Sequence, residues 1–445
     1  MRKIGLITVP VLLLLATQSI ATPVWAGGAG SFAHTFGGPS DFLATSIQQT
    51  VDGGFIVAGF TSSSGAPPQQ TWLLRLDRAG VIVWQIAYGT PDTLSSLFPP
   101  KAKPTPDGGF VVVTSKHLSP ATIAAWVFKV DRRGNFVWQE AFTGTGNATG
   151  TSVDLTPDGG FVVAGSIIVN HFPTGGLVIR LNANGDIVWQ KAYEGFGAAL
   201  ATSIRTTHDG GYLLAGFEGN PNNGWLLRLD SSGGIVWQQT YSSAAGNIGL
   251  YSAQETSDGG FIAAGTSVSG STAGAIVLKL DQTGGLSWEK IYVGTGIFAG
   301  ASSIQQTSDG DYVLAGVTGP TFSINALILR LDSLGSIVWQ RSFGASSTSF
   351  TVANAVQQTF DGGFVVAGAT GPAVPGILSQ ALVMKIDGRG EIHPCGLLST
   401  PGLVAANANT VAASVSGTAT DLETAPVTTS FDAQTTSTTE TAVCP

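Results

Sequence analysis

The chain has 445 residues with 20 Lys and Arg against 28 Asp and Glu, a net charge of −8, and only 11% of it is charged, against roughly 25% in ordinary globular domains. With no basic cluster, the electrostatic footprint of nucleic-acid binding is missing, and the same shortage weighs against an anionic membrane surface as partner. Sixty Gly and many short apolar runs suit a chain with ample core material and few surface charges.

In chain order, Arg2 and Lys3, the apolar run over residues 4–16 and the small residues at Val24-Trp25-Ala26 have the pattern of a signal peptide spanning residues 1–26. The mature chain is then expected to begin near Gly27 and to be secreted or periplasmic. The run is short for a bilayer span of roughly 20 residues, and no later segment reaches that length, so no membrane span is expected in the mature chain.

From there the sequence repeats itself. Asp-Gly-Gly, followed by an aromatic and an apolar run, recurs at Asp52, Asp107, Asp158, Asp209, Asp258, Asp309 and Asp361, with Asp311 in place of the second Gly in the sixth copy. A second marker is a basic residue, an apolar residue and Asp-x-x-Gly, as in Arg75-Leu76-Asp77 and Lys129-Val130-Asp131, with Asn182 replacing the Asp in the third copy. Seven residues beyond that position stands a Trp: Trp84, Trp138, Trp189, Trp237, Trp288 and Trp339. In the first copy, residues 46–50, 55–59, 72–76 and 81–88 read as strands rich in Val, Ile, Phe and Trp. Asp bonds its own backbone to start each turn, and Gly supplies the positive φ. Four strands in a unit of this length mark the blades of a propeller. The fold class is therefore an all-β, seven-bladed β-propeller of four-stranded blades over residues 27–394. One large aromatic per blade is expected to fill the wedge between neighbours, and the repeated Arg or Lys to brace a turn. A transmembrane barrel does not fit, because its strands run roughly 10 residues with an outward apolar band.

The seventh copy is incomplete. Pro394 occupies its Trp position, where a strand ladder needs a donor. The missing strand is at the other end of the chain: residues 32–37 match residues 84–89 position for position, with Phe32 in the place of the Trp. The ring is thus expected to close through its own N-terminal strand, which removes an open edge.

Residues 395–445 abandon this grammar and form a tail rich in Ala, Thr and Ser, without Lys or Arg. Stretches of it are too poor in apolar residues to make a core alone. Cys395 and Cys444, the only cysteines, bracket it, and in an oxidising compartment a disulfide between them is the economical reading.

Chemistry-bearing motifs are scarce. The five His show no metal spacing, and neither a calcium loop, a nucleophile elbow nor a phosphate-cradling loop is present. No metal or cofactor is expected. His117 and His171 fall where the variable connections between second and third strands are expected. Both tight turns share one face of the ring, so those connections share the other, and binding sites ride on variable loops held by a rigid scaffold. Lys103, Asp154 and Arg205 stand at one inner-strand position where other blades carry Gln. They are the channel candidates, with a solvated channel lining as the plainer reading.

The Asp-x-x-Gly-x-x-x-Trp segments resemble the tryptophan-docking motif of the pyrroloquinoline-quinone (PQQ)-like propeller repeats, over residues 31–394. The resemblance implies the fold. That family includes quinoprotein dehydrogenases and non-enzymatic scaffolds of the bacterial envelope. The dehydrogenases have eight blades, a turn one residue longer and an adjacent cysteine pair over the cofactor. This chain has none of these, and nothing in it maps onto their calcium ligands or catalytic acid. The expectation is an exported, non-catalytic binding or scaffold protein, monomeric, whose partner, protein or glycan, docks on the variable-loop face. A hydrolase or lyase acting on an extracellular ester or glycan, with its site at the channel mouth, is the alternative; PQQ is not carried over.

Overall fold

The protein is described from a computed structural model. The described residues are 30–38, 40–63, 69–89, 99–143, 146–169, 172–194, 199–219, 223–243, 246–270, 272–293, 298–320, 324–344, 349–372 and 379–392, together with the backbone of six short strands between 398 and 444.

Seven antiparallel sheets surround a central channel. Blade 1 runs outward as β2 (Ser40–Gln49), β3 (Phe55–Ser63), β4 (Gln69–Leu76) and β5 (Ile82–Tyr88). The inner strands of blades 2 to 7 are Lys101–Pro104, Asn147–Leu155, Ala199–Thr206, Asn247–Glu255, Phe298–Gln306 and Ser349–Gln358, and neighbouring ones touch around the ring. The fourth strand of blade 7 is β1 (Phe32–Gly37), paired antiparallel with Gln380–Ile386 from Phe32↔Lys385 to Phe36↔Ala381. The N-terminus closes the ring.

Seven apolar clusters fill the seven wedges between blades; the one joining blades 7 and 1 holds Phe32 and Phe36 with Phe55, Trp72, Val365 and Val383. Each outer-strand aromatic meets the residue after the next blade's Asp-Gly-Gly: Phe32–Phe55, Trp84–Phe110, Trp138–Phe161, Trp189–Tyr212, Trp237–Phe261, Trp288–Tyr312 and Trp339–Phe364, with centroids 5.4 to 6.2 Å apart. The same rings sit on the Gly of the next blade's Asp-x-x-Gly turn. At Gly284 (φ +81°) a Cβ would lie 3.1 Å from Trp237, and at Gly80 2.7 Å from Phe32. Within each blade the basic residue of the third strand pairs with the Asp of Asp-Gly-Gly: Arg75–Asp52 at 2.6 Å, Lys129–Asp107, Arg180–Asp158 and Arg228–Asp209 at 2.5 Å, Lys279–Asp258 at 2.8 Å, and also Arg330–Asp309 and Lys385–Asp361.

The strands reach further than their apolar runs. Six inner strands continue through a β-bulge whose extra residue is Thr45, Thr151, Thr202, Tyr251, Ser302 or Asn354. Opposite each bulge lies a Gly of the second strand: Gly59, Gly165, Gly216, Gly265, Gly316 and Gly368. A Cβ there would come within 1.6 to 2.0 Å of a carbonyl oxygen of the bulged strand. Blade 2 has Thr114 at this position, and its inner strand starts only at Lys101. The strands of blade 2 also run into the connection expected to be variable. In blade 2 the second and third strands are Phe110–Ser119 and Thr122–Val130, so His117 lies in a strand. His171 falls outside the described residues.

The tail adds a fifth strand to six blades. Leu398–Ser399 pairs with blade 6, Val404–Ala406 with blade 5, Thr410–Ser414 with blade 4, Thr418–Asp421 with blade 3, Ala433–Thr435 with blade 1 and Thr439–Cys444 with blade 7. It runs round the outside of the ring against the order of the blades, as a belt. The equivalent outer-strand aromatics Phe343, Tyr292, Tyr241 and Tyr193 pair with residues 398, 405, 412 and 419, and Tyr88 and Phe36 with residues 433 and 440. The step is seven residues per blade, doubled across blade 2.

Candidate binding channel

Residues of the inner strands alternate between the wedge and the channel, and the bulges decide what shows at the mouth. An extra residue breaks the alternation and re-aims a side chain. On the face opposite the tight turns, Thr45, Thr151, Thr202, Tyr251, Ser302 and Asn354 line a recess of about 420 Å³ with Leu43, Pro99, Leu200 and Phe217. Lys101 is the one charged residue among the described residues of that lining. Tyr251 packs edge-on against Phe217 with centroids 6.3 Å apart, and burial raises its hydroxyl pKa above the ordinary value.

Below the bulges the channel narrows to about 60 Å³, walled by Ser46, Ser152, Ser203, Ser252 and Ser303 together with Gln48, Lys101, Lys103 and Arg205. The serines tie blade to blade. Ser46 Oγ accepts the N–H of Ala102 at 3.2 Å, Ser252 Oγ that of Ile304 at 3.3 Å and Ser303 Oγ that of Val356 at 3.4 Å.

The layer nearest the turns does the same with longer side chains. Gln357 Oε1 accepts Gln49 N–H at 2.6 Å, Gln305 Oε1 accepts Gln358 N–H at 2.7 Å, and Asp154 Oδ2 accepts Thr206 N–H at 3.0 Å. Asp154 therefore serves as a glutamine would. Lys103 and Arg205 occupy the same register position, and neither side chain can accept.

The three channel candidates come together. Lys103 Nζ lies 3.2 Å from Asp154 Oδ1, with both side chains 16% exposed, and Arg205 is close enough to act on both charges. Burial pushes Asp154 up, but Lys103 and Arg205 outweigh it and hold the carboxylate below its usual range. Burial first, then Arg205, lowers Lys103 against the pull of Asp154. Lys101, whose Nζ donates to Thr45 O at 2.8 Å, is brought down to about 8 by burial, Arg205 and Lys103. Its role was not legible in the sequence, because the other blades carry Ser or Ala at its register position. A cation two residues before Lys103 on an alternating strand was the available signal. Among the described residues no group of His, Cys, Asp and Glu is arranged to hold a metal. The backbone of Cys444 pairs with Ala33, and Cys395 lies outside the described residues.

Fold and docking aromatics together define a seven-bladed β-propeller whose repeats resemble the PQQ-like kind. Residues 69–250, from the third strand of blade 1 to the inner strand of blade 5, match the family model described as outer membrane protein assembly factor BamB. No curated protein matches the chain. Among solved structures, Sqt1 of Chaetomium thermophilum is 13% identical, with a TM-score of 0.47, over 82% of this chain and 99% of that one. A protein of unknown function from Dyadobacter fermentans is 11% identical, TM-score 0.42, over 67% and 96%. The polysaccharide lyase Uly1 is 9% identical, TM-score 0.45, over 77% and 90%.

Proposed function

We propose that this protein is an exported, non-catalytic binding or scaffold protein that takes its partner, a protein or a glycan, at the mouth of the channel. The observation that supports this most is the lining of the 420 Å³ recess, where, among the described residues, aromatic, aliphatic and hydroxyl groups surround a single charged residue, Lys101. Such a mixture suits binding, with apolar area for affinity and a few polar groups for orientation. Hydrolysis of a glycan commonly uses a pair of carboxyl groups facing one another, and the described residues of the lining include none. A hydrolase or lyase is therefore the less supported reading.

The test is a glycan array and an affinity capture from exported proteins, run beside a turnover screen on polysaccharides and esters. A partner retained by the intact protein and lost in Phe217→Ala/Tyr251→Ala supports the proposal. Turnover abolished by the same pair of changes overturns it.

Export through residues 1–26 belongs to this reading and is checked by N-terminal sequencing of secreted material, expected to start near Gly27. So does a Cys395–Cys444 disulfide. Ile392 packs in the same apolar cluster as Ala33, and Ala33 pairs with Cys444. Cys395 follows Ile392 by three residues, a reach of about 11 Å at most. Ile392, the last described residue before Cys395, and the backbone of Cys444 thus both lie at blade 7. Closing the bond takes two protons and two electrons from the thiols and passes them to a thiol–disulfide oxidant, which leaves as a dithiol.

A further inference from the structure

The charges in the channel do not balance. Lys101, Lys103 and Arg205 act on one another, and Asp154 is the carboxylate among them. Among the described residues, three cations line this space of about 60 Å³ and one carboxylate, Asp154, lies beside Lys103, an excess of two positive charges, and burying like charges together is costly unless something offsets them. Two of the cations also displace a structural group. At the position of Lys103 and Arg205, three other blades carry an acceptor, Asp154, Gln305 or Gln357, that ties one blade to the next. A ring that gives up two such acceptors for buried cations has a use for them.

The rest of the wall has the matching chemistry. Ser46 Oγ and Ser303 Oγ each use a lone pair to accept a neighbouring N–H and keep an O–H able to donate, whereas the Ser252 O–H is given to Ile304 O. Cations and hydroxyl donors converging on a small space form an oxyanion site, since charge-assisted hydrogen bonds are the strong ones.

We propose that the channel holds one oxyanion (phosphate, sulfate or carboxylate) between Lys101, Lys103 and Arg205, with Ser46 and Ser303 as hydroxyl donors. The channel and the recess above share Lys101, Thr202, Tyr251 and Ser302 in their linings, so the space is continuous. The oxyanion is then either a free ion or the head of a ligand whose apolar body fills the recess. Only the second form rests on the mouth being a binding site.

Isothermal titration of the full mature chain at low salt with inorganic phosphate, sulfate and phenyl phosphate separates the cases. One saturable site for phosphate is expected. Phenyl phosphate binding about ten-fold tighter assigns the head-group form, and equal affinities assign the free ion; a ten-fold gap is about 1.4 kcal/mol. Lys103→Gln and Arg205→Gln should each weaken binding at least about ten-fold while the protein keeps or raises its Tm, because Gln restores the residue of the other blades. Asp154→Asn, which still accepts Thr206 N–H, should tighten binding. Absence of saturable binding by all three probes, binding unchanged in Arg205→Gln, or weakening in Asp154→Asn each overturns the site. Absence of the phenyl advantage alone removes the head-group form and leaves the oxyanion site standing, while failure of the mouth is read separately from the capture experiment.

Discussion

Trp237 joins two blades by itself. Its ring lies on the turn at Gly284 and against Phe261, and its Nε1 donates to Gln282 O at 3.1 Å. Trp84, Trp288 and Trp339 donate equally to Arg132, Ser333 and Gly388. Phe32 makes the ring contact with no N–H to give, so blade 7 shows what the hydrogen bond adds. Trp237→Phe is expected to cost about 1 kcal/mol, the net worth of one hydrogen bond, and Trp237→Ala about 3 kcal/mol for the lost packing of a half-buried ring; chemical denaturation measures both. The turn carboxylates set the acid limit. Partial burial acts against them, yet bonds from Lys129 and Thr105 hold Asp107 at about 2, and Lys279 and Thr256 do the same for Asp258. Folded pKa values below the unfolded ones mean a contribution that is complete above about pH 4 and fades as the pH falls toward 2. A Tm profile flat from pH 7 to 5 and falling below 4 is expected, with a shallower fall in Lys129→Met/Lys279→Met. At this scale the sequence was most readable. Docking residues recur in fixed register, whereas the meeting of Lys103, Asp154 and Arg205 needed the register of three blades at once.

Among the elements, the inner strands departed furthest from their apolar runs, because a bulge is a property of two strands. The signal was there in Ala58-Gly59 and its five counterparts, which Val113-Thr114 breaks. A glycine inside a strand marks close approach of another backbone, and here the approach builds the channel mouth. Gly165→Ala sets a Cβ 1.6 Å from Thr149 O. Because backbone must move, a loss of about 3 kcal/mol or more is expected, together with loss of whatever binding depends on Thr151. Gly159→Ala in the same blade meets nothing within 4 Å but has φ +82°; it should cost less, about 1 kcal/mol, and leave the mouth intact. The closing strand was legible for the opposite reason, since a missing Trp and an unmatched Phe32 repeat the pattern of six other copies. Removing residues 27–38 takes away the partner of Gln380–Ile386 and should unfold the propeller, whereas removing Pro445 alone should leave Tm unchanged.

Round the whole molecule, the belt was invisible in the sequence because the strands it pairs with supply both its register and its shelter. Ala, Thr and Ser lack the apolar alternation that announces a strand, and a seven-residue step has meaning only once blades are in place. Among the described residues no strand of the tail pairs with blade 2. Elsewhere the belt satisfies outer edges that would otherwise be open to pairing with other chains. A disulfide at blade 7 would turn the belt into a closed hoop, and a loop of this length adds about 4 kcal/mol when the alternative is a free chain. Under unfolding but non-reducing conditions, alkylation should find no thiol; after reduction it should find two. Cys444→Ser should lower Tm as far as reduction does, and reduction should then have no further effect on that variant. Ala412→Pro, which removes a ladder donor opposite Tyr241, should loosen the belt without breaking the hoop, so limited proteolysis near residue 412 should rise while the cut pieces stay joined until reduced. Free release of the cleaved tail without reductant would show that the belt is held by its strands alone.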